Sequence, residues 1–166
     1  MEYILLDIPD YVGESTLEGF DKKIELLSYS WGVSNPVQPS PSNVGRTTGR
    51  PNFSELVVAK KMDSTSAILA DDCASAKNLG TVKMFLARQD EAAGENLIYM
   101  TYELSNSLIS SVSVSGGGDI PIESISFNYS AINWIYKAQK TEAGQAETIA
   151  RGWDQATNKE AEVTAA

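Results

Sequence analysis

The sequence predicts a mainly β protein of two packed sheets, a β-barrel or sandwich, with one α-helix over about residues 65–78. Three features carry that expectation. Apolar and polar residues alternate with period two along most of the chain, and turn-forming residues separate the alternating runs at short intervals. One stretch alone carries helical spacing. Many short strands at such spacing bury their apolar faces best by closing or pairing two sheets. At 166 residues, with 42% hydrophobic and 21% charged, the chain suits a single domain with a real core.

The first strand is expected over Tyr3 to Ile8. The next run places Glu25, Leu27, Tyr29 and Trp31 on one face and Ile24, Leu26, Ser28 and Ser30 on the other. Residues 35–52 then form an extended loop, with Pro36, Pro39, Pro41 and Pro51, Gly45 and Gly49, and the cations Arg46 and Arg50. A loop of this length in a compact domain is usually functional or disordered. A strand follows over Phe53 to Lys61.

The helix comes next. Asp63 or Ser64 can cap its start, and Gly80 can stop it. Leu69, Cys73 and Ala76 would face the sheet, while Asp71 and Asp72 would face water. Cys73, the single cysteine, reads as a small buried hydrophobe and can form no disulfide within the chain.

Alternation resumes with Val82, Met84 and Leu86 against Lys83, Phe85 and Ala87. Ile98, Met100, Tyr102 and Leu104 then alternate with Leu97, Tyr99, Thr101 and Glu103. Val112 and Val114 stand among Ser111, Ser113 and Ser115, and Ile125, Phe127 and Tyr129 alternate with Ser124, Ser126, Asn128 and Ser130. With Ile132 to Ala138 and a weaker run near Ile149, about eight or nine strands are expected within a domain spanning 1–153. The polar tail 154–166 is expected to fray.

Composition narrows the chemistry. The chain has no histidine, which removes the commonest general base and the commonest transition-metal ligand. A Ser-His-Asp triad is excluded, and one cysteine cannot build a zinc site. Ser75-Ala76-Lys77 misses the Ser-x-x-Lys spacing. Gly116-Gly117-Gly118-Asp119 leads into another strand, so it reads as a hairpin turn rather than a phosphate loop opening a helix. Asp71-Asp72 and Asp90-Glu91 read as solvated charge. No enzyme activity, cofactor or metal is expected.

The formal charge is −9, and the basic residues are scattered. That argues against nucleic acid and against an anionic membrane surface. No run approaches the roughly 20 apolar residues of a membrane-spanning helix. The N-terminal Met1-Glu2-Tyr3-Ile4-Leu5-Leu6-Asp7 lacks the basic region of a secretory signal. A product that begins in the cytoplasm is expected.

The serine ladder stands out, because serine has only modest β-propensity. It reads either as an ordinary solvent-facing sheet surface or as a smooth, small, uncharged wall facing an enclosed aqueous space.

Several landmarks then follow one another along the chain. They are Gly13-Glu14-Ser15, the run Ile24 to Gly32, the Gly49-Arg50-Pro51 loop exit, Lys60 to Leu69, Leu108 to Ser113, Pro121 to Tyr129, and Gly152-Trp153-Asp154. In that order, from about Gly13 to Trp153, they resemble the hemolysin-coregulated proteins (Hcp), tube subunits of bacterial type VI secretion systems. The resemblance implies a ring-forming β-barrel with one helix, assembling into homo-hexamers that stack into a hollow tube. The implied partners are a contractile sheath, a spike protein of the valine-glycine repeat type, and small effector proteins in the lumen. It implies export on firing from the bacterial cytoplasm without a signal peptide. It would place Ser28 and Ser30 on the lumen wall, Tyr29 and Trp31 in the core, and Arg46 and Arg50 in a ring-stacking loop. The alternative is a free β-barrel carrier or adaptor that binds a small protein or ligand.

Overall fold

Wherever the period-two pattern runs, the chain is extended. The computed structural model describes residues 2–38, 47–89, 96–138 and 147–163. In chain order the elements are β1 (Glu2–Asp7), β2 (Ile24–Leu26), β3 (Ser28–Ser30), β4 (Val33–Ser34), β5 (Val37–Gln38), β6 (Thr47–Thr48), β7 (Asn52–Phe53), β8 (Leu56–Lys61), α1 (Ser66–Ser75), β9 (Val82–Gln89), β10 (Asn96–Ser105), β11 (Leu108–Ser115), β12 (Ile122–Asn128), β13 (Ala131–Lys137), β14 (Thr148–Asp154) and β15 (Lys159–Ala161).

A seven-stranded sheet runs in the order β15-β14-β13-β10-β9-β1-β2, and a four-stranded sheet in the order β11-β12-β8-β3. The pairs β4–β7 and β5–β6 form two short antiparallel ribbons in the loop region. The expected two-sheet β architecture with one helix is present, as a sandwich. The strands exceed the expected eight or nine because the loop ribbons and β15 do not show as alternation and because the run from Ile24 to Trp31 divides into two strands.

One core lies between the sheets. Leu6, Val82, Met84, Leu104 and Ile132 of the larger sheet meet Leu56, Val58, Ile125 and Phe127 of the smaller. Each fully buried aliphatic of this kind contributes about 1.5–3 kcal/mol relative to exposure. A second cluster lies on the other face of the larger sheet, where the segment after β1 folds back so that Leu17 and Phe20 cover Leu5, Phe85 and Ala87. That fold-back needs Gly13: a Cβ there would sit 2.3 Å from the Lys23 carbonyl oxygen.

Two of the alternating runs change phase. The run expected as a single strand from Ile24 to Trp31 is broken at Leu27. Before it, β2 pairs with β1 in the larger sheet; after it, β3 pairs with β8 in the smaller. The Leu27 N–H donates to the Ala59 carbonyl at 2.7 Å, which fixes the corner. Ile24 and Leu26 are buried, Leu27 and Ser28 are both exposed, and Tyr29 and Trp31 pack against the core. The expected shared face of Ile24, Leu26, Ser28 and Ser30 is therefore corrected: one extra residue at the corner flips every side chain after it. In β10 a bulge between Ile98 and Met100 does the same. Ile98 packs in the second cluster and Leu104 in the first.

The helix is shorter than expected. It ends at Ala76, which adopts the left-handed conformation at φ 51 while Lys77 N–H returns to the Asp72 carbonyl at 3.1 Å. This C-terminal closure completes before Gly80 is reached, so Ala76 is exposed rather than facing the sheet. Leu69 is buried and Cys73 half-buried, as expected of the inner face. Asp72 is a correction: it is buried, its carboxylate accepts from the Tyr11 hydroxyl, and Lys77 lies 3.6 Å away.

At its start the helix is tied to a buried charge cluster. Lys60, on β8, and Glu123, opposite it on β12, are fully buried and 2.7 Å apart. The Lys60 Nζ also donates to Asp63 Oδ1 at 2.8 Å and Ser66 Oγ at 3.0 Å, and Ser66 Oγ donates to Glu123 Oε2 at 2.8 Å. Thr65, the N-cap residue, has no side-chain cap bond of its own, and Asp63 accepts from both its N–H and its hydroxyl.

The C-terminal tail is also corrected. Residues after Asp154 turn at Asn158 (φ 55) and return as β15, pairing Gly152 with Ala161. The Asp154 carboxylate holds that turn by accepting from the Ala156 and Thr157 N–H groups.

Lys60→Met strands the buried Glu123 carboxylate and removes the partner of half-buried Asp63, so it is expected to cost about 3–5 kcal/mol at pH 7, read by urea unfolding. Burial alone would raise the Asp63 carboxyl, but hydrogen bonds from Lys60 and Thr65 outweigh it and hold the group below its ordinary 3.8. A depressed folded value gives stability that is complete above the unfolded value and lost as pH falls through the folded one. Asp63→Asn is therefore expected to cost most at pH 7 and progressively less below about pH 4, which unfolding curves at both pH values will show.

Candidate functional site

In an antiparallel ladder, directly opposed residues share a face. Across the four-stranded sheet, one row reads Ser111, Ser126, Val57 and Ser30, and the next reads Ser113, Ser124, Ala59 and Ser28. Every position is serine except Val57 and Ala59, and none is charged. Ser28, Ser30, Ser111 and Ser113 are exposed, and the other four are half-buried. Ser111 Oγ donates to Ser126 Oγ at 3.0 Å, binding neighbouring strands across the face.

The alternate row of the same strands, Val112, Ile125, Val58 and Tyr29, belongs to the core side. The sheet thus carries one apolar face and one small, hydroxylated face. Charge begins only at the margins. At one end Glu55 accepts from Ser110 at 2.7 Å and Asn128 at 3.2 Å; at the other, Lys61 is exposed beside Ile122.

The extended loop is rooted at the Leu56 and Asn128 end. There β4 pairs with β7, and an aromatic cluster supports the pair. Trp31 meets Trp134 edge-on at 5.5 Å, and Phe53 stacks on Trp134 at 6.4 Å. The Trp31 indole donates to the Tyr129 hydroxyl at 2.6 Å, which donates to the Ser54 carbonyl at 2.6 Å. Tyr102 packs on Tyr29 and Trp31. Burial, with the Tyr29 hydroxyl alongside, pushes its pKa up to about 12, so it stays a neutral core member at physiological pH.

Ser28 and Ser30 therefore share the serine face, with Tyr29 and Trp31 turned toward the core. Arg50 lies at the loop exit and donates to the Gln155 and Ala156 carbonyls of its own subunit. Arg46 lies outside the described residues, as do Asp90 and Glu91. Arg50 is thus engaged at the turn after β14 and not at the serine face. The buried partners Lys60 and Glu123 escaped the sequence reading, although a signal existed. Lys60 keeps the phase of Leu56 and Val58, and Glu123 keeps that of Ile125 and Phe127.

Among the described residues there is no group of three or more His, Cys, Asp or Glu placed to hold a metal ion. Among them, too, no helix is long and apolar enough to cross a membrane.

Comparison with known proteins gives a consistent picture. Residues 5–136 match the family described as type VI secretion system effector, Hcp. The protein Hcp1 of Pseudomonas aeruginosa is 29% identical over 162 residues, covering 95% of this chain and 98% of its own. A solved type six secretion system protein superposes with a TM-score of 0.86 at 30% identity, over 97% of this chain and 100% of its own. Hcp1 from Salmonella typhimurium superposes with a TM-score of 0.76 at 26% identity, over 96% and 99%.

The two faces of β3 are expected to respond oppositely to substitution. Trp31→Ala removes the centre of the aromatic cluster and should cost about 3–5 kcal/mol. Ser30→Gln adds length on an open hydroxylated face and should change stability by less than about 0.5 kcal/mol. Thermal melting of both variants decides; a destabilised Ser30→Gln beside a tolerated Trp31→Ala would reverse the faces.

Proposed function

Because this chain belongs to the Hcp family of type VI secretion proteins, we propose that it is a structural subunit of the secretion tube, acting by assembly rather than catalysis. The observation that carries this reading is the uncharged serine face on a sheet with two open edges. Strands β11 and β3 end the four-stranded sheet, and an open edge presents unpaired N–H and C=O groups. Head-to-tail repetition around an axis, with β11 of one subunit beside β3 of the next, would cover both edges and close a ring. Six copies would turn the serine faces into one continuous lining.

Such a lining suits a channel. Small hydroxyls hold water and offer a passenger no fixed charge to bind and no broad apolar patch to stick to. Ser28 and Ser30 would face this lumen, and small effector proteins are the passengers it would admit. Arg46 and Arg50 would serve the contact between successive rings. A contractile sheath outside and a spike protein at the tip are the further partners of this reading. Assembly would begin in the cytoplasm, and export would follow sheath contraction.

Native mass measurement is expected to return a hexamer at micromolar concentration. A stable monomer across a wide concentration range would remove the assembly reading. Arg46→Glu combined with Arg50→Glu is expected to leave hexamers intact while reducing tube formation and secretion. The reason is electrostatic: stacking brings together subunits of net charge −9, and the loop supplies cations against that repulsion. Unchanged tubes at both low and moderate salt would exclude an electrostatic role for the loop.

A further inference from the structure

The larger sheet reaches past one side of the smaller. Register orders three successive rows on its core-facing side. Val82, Leu104 and Ile132 form the first, deep in the core. Tyr102 and Trp134, in the second, lie against β3, with ring centroids 6.0 Å from Tyr29 and 5.5 Å from Trp31. The third row runs Leu26, Ile4, Leu86, Met100, Tyr136 and Ile149. It therefore lies on the far side of β3, the terminal strand of the smaller sheet, from the core. The row is apolar throughout, and its cover falls away toward β14. Leu26 and Leu86 are buried, Ile4 and Met100 half-buried, and Tyr136 and Ile149 are 42% and 49% exposed. Single exposed apolar residues are ordinary, but a contiguous row beside an open strand edge marks an interaction surface. Its borders are basic: Arg88 lies 4.9 Å from the centre of the Tyr99 ring, and Arg151, opposite Trp134, stands on the same face as Ile149.

The opposite side of the smaller sheet is complementary. There β11 is the terminal strand, and α1 packs on it from the core-facing side with Leu69 buried. The helix leaves Ile68 48% exposed, and Asp71, three residues on and so on a neighbouring part of the same face, is exposed as well. When β11 of one subunit lies beside β3 of the next, the two smaller sheets become continuous and their core-facing sides coincide. The helix under β11 then comes to lie over the row that the next subunit leaves uncovered beyond β3. Apolar Ile68 meets Tyr136 and Ile149, and acidic Asp71 meets the basic border.

We propose that this row of the larger sheet is the seat for helix α1 of a second copy of this chain, the neighbour within the ring. The inference rests on the tube reading and adds a side-chain contact to the strand pairing that reading invokes. Pairing of β11 with β3 specifies register weakly where the outer face is small and polar at successive positions. A helix seated against Tyr136 and Ile149 fixes it. The contact joins unlike surfaces, so it repeats head to tail around the axis and leaves no empty seat once the ring closes.

The experiment uses the full chain, with single rings separated from larger assemblies by sedimentation. A photo-crosslinker at Ile68 in isolated hexamers is expected to join a peptide of β13 or β14 from another subunit, giving a crosslinked dimer by mass. Ile68→Asp and Tyr136→Asp, both at exposed positions, are expected to leave the subunit folded by circular dichroism. Each is expected to raise the concentration at which half the subunits are in hexamers by about tenfold or more. Crosslinks that reach only other peptides overturn the seat. Hexamers of wild-type stability in either variant overturn it too, by giving the exposed row or the helix to a partner outside the ring. Both outcomes leave the tube reading standing. Should a variant fail to fold, Ile68→Ser or Tyr136→Ser and the crosslink decide in its place. Wild-type protein that forms no rings overturns the tube reading itself, and the seat with it.

Discussion

One buried ammonium group sets how the smaller sheet and the helix fit together. The Lys60 Nζ has three protons and four oxygens within reach, from Glu123, Asp63, Ser66 and the Lys61 carbonyl. These partners come from the neighbouring strand, the turn before the helix, the first helical residue and the end of β8 itself. A charge buried without partners is unaffordable in a protein interior, so the arrangement exists only when β8, β12 and α1 are all in register. A slip of one residue between β8 and β12 would turn Lys60 away from Glu123 and leave both groups without compensation.

That register has consequences on the other side of the sheet. With Lys60 facing inward, Val57, Ala59 and Lys61 must face outward. With Glu123 inward, Ser124 and Ser126 must be outward. The serine rows are the outer half of the same ladder whose inner half holds the charge cluster and the core. The smoothness of the outer face therefore depends on ionic bonding behind it. Such a cluster adds little net stability over a well-packed apolar replacement. Its value is in allowing one alignment and penalising others.

The two sheets divide the remaining work. The larger one packs on both faces near β1 and β9, with Leu17 and Phe20 closing the outer side. The smaller one packs its core on one face, and among the described residues no further strand pairs with its terminal strands β11 and β3. At its loop end the aromatic cluster around Trp31 and Trp134 gives the ribbon β4–β7 a rigid base. Arg50 ties the loop exit to the turn before β15. The two described roots of the loop are thereby held in place.

The sequence alone determined the β class, the single helix, most strand positions and the serine periodicity, because these depend on local alternation and turn chemistry. It also contained the phase of Lys60 and Glu123, though a charge on an apolar phase is interpretable only once its partner is known. Tertiary structure decided what alternation cannot express. The inserted corner residue Leu27 and the bulge before Met100 invert the faces of Ile24 to Trp31 and of Ile98 to Leu104, and neither leaves a mark in composition. The buried Asp72 depends on Tyr11, which lies 61 residues away. Strand β15 forms because β14 offers it an edge, not because Lys159 to Ala161 favours a strand. Period and propensity act between neighbours in the chain; partners, edges and the inward direction are set by residues that meet only when the two sheets close on each other.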